Sequence, residues 1–188
     1  MNPPDASTTK PMQGSASFSL TNRLFRAVWA LGWAVLARWT PPPLFGWRRF
    51  VLRLFGAKIG AGARVYGSVR VWYPPNLALG ARATLGPRVN CYNQGRIEIG
   101  DHAVISQGAH LCASSHDISD HHFQLVLRPI AIGRRAWIAA EAFVGPGSTV
   151  GEGAVIGARA ALFGKAKPWG VYSGNPAVLL KMRTLREA

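Results

Sequence analysis

The chain has 188 residues, 48% of them hydrophobic, which is enough for one domain with a full core and calls for no second one. Lys and Arg number 22 against 8 acidic residues, and the resulting charge of +14 favours polyanionic partners. Two cysteines, Cys91 and Cys112, exclude a disulfide framework and a CxxC metal pair; both thiols are expected free, in a reducing compartment.

Residues 1–21 are rich in Ser, Thr, Pro and Gly without apolar periodicity, and are expected to be disordered. The apolar run Ala27 to Ala37, bracketed by Arg26 and Arg38, falls well short of the roughly 20 residues that span a bilayer. Polar residues before it and prolines after it do not suit a cleaved signal peptide, so a cytoplasmic protein is expected. Next, "LFGWRRFVLRLF", Leu44 to Phe55, reads as a basic amphipathic helix: Leu44, Trp47, Phe50, Val51, Leu54 and Phe55 share one arc, Arg48, Arg49 and Arg53 the other. Residues 22–56 are therefore expected to form a helical cap. A peripheral contact with the cytoplasmic leaflet is a second use of the same segments.

From Ile59 an aliphatic residue returns every six positions: Ile59, Val65, Val71; Leu79, Leu85, Cys91; Ile99, Ile105, Leu111. The register resumes through Ile132, Ile138, Val144, Val150, Ile156 and Leu162, and Cys91 is its single non-aliphatic member. Glycine often follows the slot, and a small residue often precedes it by two, so the small residue and the aliphatic share an inward face while glycine accommodates the turn. Three hexapeptides make a triangular coil, with the pairs Leu77-Ala78 and Ile97-Glu98 inserted at one corner. The prediction is an all-β solenoid, a parallel β-helix of about five coils over residues 57–168, followed by a helical tail over 169–188. After His116 no aliphatic slot appears until Ile132, so residues 117–131 form an excursion, and an insertion in a stacked repeat marks a functional face.

The segments "LRLFGAKIG", "SHD", "RPIAIGRRAWIAAEAFVGPGSTVGEGAVIGARA" and "SGNPA" resemble the hexapeptide-repeat acyltransferases, and within them the colanic acid or exopolysaccharide biosynthesis acetyltransferases. The resemblance covers about Phe55 to Arg183. It implies a left-handed winding, a homotrimer with the donor groove between subunits, acetyl-CoA as donor with no metal, and a saccharide acceptor, free or lipid-linked, in surface-glycan synthesis. It also implies that His116 takes the acceptor proton while backbone amides stabilise the oxyanion. Asn90, with Asn93 as neighbour alternative, matches a polar contact to acceptor hydroxyls; Asp117 or Asp120 is a candidate to orient the imidazole. Trp137 matches a residue lining the pantetheine channel, with small neighbours Ala139, Ala140 and Ala158. Relatives show Thr-Lys where this chain has Phe163-Gly164, so Lys165, Lys167, Lys181 and Arg183 are the candidates for coenzyme A phosphates.

The sequence admits two other readings. A γ-type carbonic anhydrase uses the same solenoid and spaces two zinc-binding histidines like His116 and His121, but no histidine precedes His102 to supply the third ligand. A non-catalytic binding scaffold draws support from Gly164. His121 and His122 read as loop surface, and the scattered arginines, with no stacking motif, do not suggest nucleic acid.

Overall fold

In the computed structural model, which describes residues 3, 5–13 and 15–185, the six-residue period becomes a three-sided parallel solenoid. The first face stacks Lys58–Ile59, Leu77–Leu79, Ile97–Ile99, Ile130–Ile132, Thr149–Val150 and Lys165–Ala166. On the second lie Arg64–Val65, Thr84–Leu85, Val104–Ile105, Trp137–Ile138, Val155–Ile156 and Gly170–Ser173; on the third, Arg70–Val71, Asn90–Tyr92, His110–Cys112, Phe143–Val144 and Ala161–Leu162. There are thus about six coils, the last with two sides. Inward slots meet in register between coils: Leu85, Ile105 and Ile138 stack up the second face with no exposed surface. Each coil alone leaves its apolar interior open, and stacking is what buries it.

The glycine after the slot serves close approach between coils rather than the turn itself. A Cβ on Gly100 would lie 2.6 Å from the backbone nitrogen of Arg134 in the next coil. Positive φ falls two residues later, at Arg82, His102 and Arg135 among others.

Almost all variation in coil length is confined to the corner between the third and first faces. The slots there are eight residues apart from Val71 to Leu79 and from Cys91 to Ile99, six from Val144 to Val150, and four from Leu162 to Ala166. Leu77, Ile97 and Ile130 are buried as extra inward residues where the corner is long. The shortened last corner shifts the period, so Ala166 and Tyr172 continue the core beyond the last regular slot, Leu162.

Neighbouring coils pair in parallel, with some bonds running forward, as from Gly60 N–H to the Leu79 carbonyl and Tyr66 N–H to the Leu85 carbonyl, and others running back, as from Arg82 N–H to the Ala61 carbonyl. At the open end of the first coil no preceding coil donates to the carbonyls of Ile59, Ala63, Val65, Gly67 and Val71. Helix α1 spans Ala6–Thr9, α2 Leu20–Leu36 and α3 Phe45–Leu54, and the latter two supply the missing donors. Arg53 donates to Ile59 O, Arg49 to Ala63 O, Arg48 to Val65 O, Trp33 to Gly67 O and Trp29 to Val71 O. The arginines of the arc opposite the apolar one therefore donate to the solenoid, and Arg48 has no exposed surface.

The ends of the chain differ from expectation. Residues 6–9 are helical, with Ala6 N–H donating to Gln124 Oε1 at 2.7 Å, where disorder over 1–21 was expected, and α2 starts at Leu20. Among the described residues, the C-terminal tail is not a helix. Val178–Met182 is a strand antiparallel to Gly170–Ser173, because the last coil offers an unpaired strand edge that an extended segment satisfies. Residues 186–188 of the tail lie outside the described residues.

Candidate active site

The excursion is a β-hairpin at the long corner. Ser114–His116 pairs antiparallel with Leu125–Leu127, and the base closes by Arg128 N–H donating to Ala113 O at 2.9 Å. The chain thus leaves the coil before His116, so His116 stands on the outgoing arm of the hairpin rather than closing the third coil.

His116 is held twice by one residue. Its Nδ1 lies 2.8 Å from the carbonyl oxygen of Phe123, and its ring stacks on the Phe123 ring at 4.2 Å with 10° between planes. A carbonyl only accepts, so Nδ1 carries the hydrogen, and in the neutral ring the lone pair is then on Nε2. Phe123 itself has φ of 54°, in the left-handed region that few aromatic residues occupy.

No carboxylate performs this task. Asp117 Oδ1 accepts from Ser119 N–H, and Asp120 accepts from the N–H groups of His122 and Gln124, so both shape the loop turn. Asp117 is exposed, as are His121 and His122.

His116 borders a cleft of about 520 Å³ whose lining includes Phe18, Trp72, Tyr92, Gln94, Arg23 and Arg26. Gln94 is 7% exposed; its Nε2 donates to Tyr92 Oη at 2.8 Å, and its Oε1 is buried without a hydrogen-bond partner. Such an orphaned acceptor calls for a donor. Arg26 lies over the Trp72 ring, 4.2 Å from its centroid.

The sequence-predicted asparagines do not join this cleft. Asn90 lies near His110, Nδ2 to Nε2 at 3.4 Å, and lines a separate groove beside α2. Burial pulls the His110 imidazole below its ordinary pKa. Asn93 has no exposed surface and accepts from the N–H groups of Trp72 and Tyr73. Position along the repeat cannot distinguish Asn90, on a flat face, from Tyr92 and Gln94, which approach the corner.

Both cysteines are free. Cys112 lines the cleft and is half-buried, whereas burial drives the Cys91 thiol up to about 12, leaving essentially no thiolate at neutral pH. A maleimide reagent is expected to label Cys112 alone and to block the cleft; peptide mapping that finds Cys91 labelled in the folded protein would contradict this.

A second groove, about 580 Å³, runs along the second face between Trp137, Trp169, His102, Arg135 and Arg183. Trp137 donates from Nε1 to Ser106 Oγ at 2.9 Å and remains exposed. Ala139 is buried, Ala140 half-buried and Ala158 exposed at the adjoining corner. Lys181 pairs with Val171 on this same face; Lys165 sits on the first face and Lys167 precedes the corner leading to the second. The cations lining this groove are Arg135 and Arg183, and nothing in the six-residue period singled out Arg135.

Among the described residues, no three His, Cys, Asp or Glu side chains cluster as metal ligands. Nor is any helix there long and apolar enough to cross a membrane.

No protein-family model matches the chain. Over 160 residues, 84% of this chain and 88% of the relative, it is 46% identical to WcaF of Escherichia coli (strain K12), whose name describes an acetyltransferase of colanic acid biosynthesis. Among solved structures, a maltose O-acetyltransferase from Clostridium difficile 630 superposes with a TM-score of 0.79 at 22% identity, over 89% of this chain and 90% of that one. A hexapeptide-repeat acetyltransferase from Vibrio cholerae O1 biovar eltor, solved with acetyl coenzyme A, gives 0.79 at 17% identity, over 90% and 93%.

Proposed function

The chain belongs with the colanic acid biosynthesis acetyltransferases of the hexapeptide-repeat type, and on that premise we propose that it moves an acetyl group from acetyl-CoA to a sugar hydroxyl of a surface glycan. The observation that carries this reading is the fixed tautomer of His116, whose basic Nε2 stands beside a cleft with aromatic walls. The acceptor hydroxyl gives its proton to Nε2 as its oxygen attacks the thioester carbonyl. The carbon–sulfur bond then breaks, and the proton passes from Nε2 to the departing sulfur. No acyl-enzyme forms, and the imidazole ends each cycle neutral. Trp72, Tyr92 and Phe18 give the sugar ring flat apolar partners, and a sugar hydroxyl satisfies Gln94 Oε1.

The donor reading rests on Trp137 and the cations beside it. The thin pantetheine arm follows Trp137 past Ala139, Ala140 and Ala158, with phosphates on the basic residues. Because the His116 cleft lies at one corner and the Trp137 groove on a different face, a single chain keeps the two halves apart. A homotrimer of left-handed solenoids, joining one subunit's cleft to a neighbour's groove, completes the site. The Lys165 face and Lys167 then stand within reach of the neighbour's cofactor. The acceptor, free or lipid-linked, is met at the cytoplasmic side.

Acetyl transfer from acetyl-CoA to isolated deacetylated glycan tests the proposal, and no transfer by the assembled protein would reject it. For the donor half, Arg135→Gln is expected to weaken acetyl-CoA binding by about tenfold, most at low salt, while sparing an acetyl-pantetheine thioester without phosphates. Equal losses with both donors would contradict the assignment; Lys165→Gln/Lys167→Gln, read the same way, tests the neighbour's contribution.

A further inference from the structure

Helix α2 is apolar on two opposite sides. Trp29 and Trp33 face the first coil, while Leu20, Leu24, Val28, Leu31 and Val35 form an exposed stripe along the other side. These spacings of three and four residues make a continuous row, and no charged side chain interrupts it. Leu44, just before helix α3, and Trp47, Phe50 and Leu54 on it extend the same surface, joined to α2 by the Trp47 indole donating to Leu36 O. Trp39, at the turn between the helices, is 73% exposed. An apolar surface this extensive on a folded chain marks an interaction site.

Charge decides what covers it. Between Asp5 and Glu98 the chain contains no acidic residue. Beside the stripe, a groove of about 810 Å³ between α2 and the third face is lined by Arg38, Arg70 and Arg88 with Ser68 and Asn90. A second copy of this chain would bring the same cations against these, whereas an anionic surface neutralises them. We propose that the α2–α3 end of the solenoid docks on an anionic lipid bilayer, with the aliphatic stripe among the acyl chains, Trp39 and Trp47 at the interface, and Arg38, Arg70 and Arg88 on lipid phosphates. The helices lie in the surface rather than crossing it. Since Arg23 and Arg26 on the first turns of α2 line the His116 cleft, docking holds the cleft near the headgroups, where a lipid-linked sugar is found.

Co-flotation of the full chain with vesicles tests this. Binding is expected to vesicles of phosphatidylcholine with phosphatidylglycerol, to weaken with salt, and to be much lower with phosphatidylcholine alone. Leu31→Glu/Val35→Glu, at exposed positions away from the cleft and donor groove, is expected to reduce binding by at least about tenfold while keeping the oligomer size and acetyl transfer to a soluble acceptor. Should that variant fail to fold, quenching of tryptophan fluorescence by brominated lipid chains in the unsubstituted protein replaces it, and quenching is expected. Failure to float with anionic vesicles at low salt, undiminished binding by the folded variant, or absence of quenching would overturn the proposal. A smaller oligomer in the variant would overturn it as well, and would assign the face to a second copy.

Discussion

His116→Ala is expected to lower turnover by about 10²- to 10⁴-fold while leaving acetyl-CoA binding and assembly nearly unchanged. The magnitude is that of a lost general base. A sugar hydroxyl is a poor nucleophile until its proton is taken, and no other imidazole lines the cleft. The substitution removes no inward slot of the solenoid, so the fold is expected to persist. Phe123→Ala separates holding from chemistry: it removes the stacked ring but keeps the backbone carbonyl. A partial fall in kcat, with donor affinity unchanged, is expected from it. Turnover near normal in folded His116→Ala protein would end the assignment.

Arg48→Ala carries the largest expected effect on stability. The Arg48 guanidinium meets Val65 O at 2.6 Å, Thr40 Oγ1 at 2.6 Å, and the carbonyls of Thr40, Pro41 and Pro42 at 3.0, 3.0 and 2.7 Å. It also lies 4.9 Å from the Phe45 ring centroid. Truncation leaves several buried acceptors without donors and opens a space under α3. A loss of about 3 kcal/mol or more follows, corresponding to a Tm lower by about 6–12 °C. Arg64→Ala, at an exposed position of the first coil, is expected to change little. Lysine at position 48 lacks the planar fork and is expected to restore only part of the loss. Thermal denaturation of the three variants checks this, and an Arg48→Ala protein as stable as the parent would refute the capping role.

The solenoid was legible because every inward slot must fill the same triangular interior, so Ile59, Val65 and Val71 announce one coil and Leu79, Leu85 and Cys91 the next. Corners carry no such demand. The one between the third and first faces varies in length, so the six-residue period ends at Leu162 and gives no sign that the tail is a strand closing an open edge. The histidine could be picked out, but its partner could not: a backbone carbonyl such as that of Phe123 leaves no mark in the residue types, whereas Asp117 and Asp120 drew notice by being charged. For Arg48, Arg49 and Arg53 the helical projection gives an arc opposite the apolar one and does not show that this arc meets the coil. They do so because the first coil presents carbonyls without donors, and arginine is the side chain best suited to reach several at once. A run of arginines and tryptophans without a single carboxylate, just before the repeat begins, was the signal that these side chains donate to backbone.

The central claim is acetylation of a surface glycan by a cleft built around His116. The most direct measurement is mass spectrometry of that glycan from cells carrying the native chain, cells lacking it, and cells carrying His116→Ala at equal abundance. Ester-linked acetyl groups present with the native chain and absent in the other two are the predicted result; acetylation unchanged in cells with His116→Ala would contradict it.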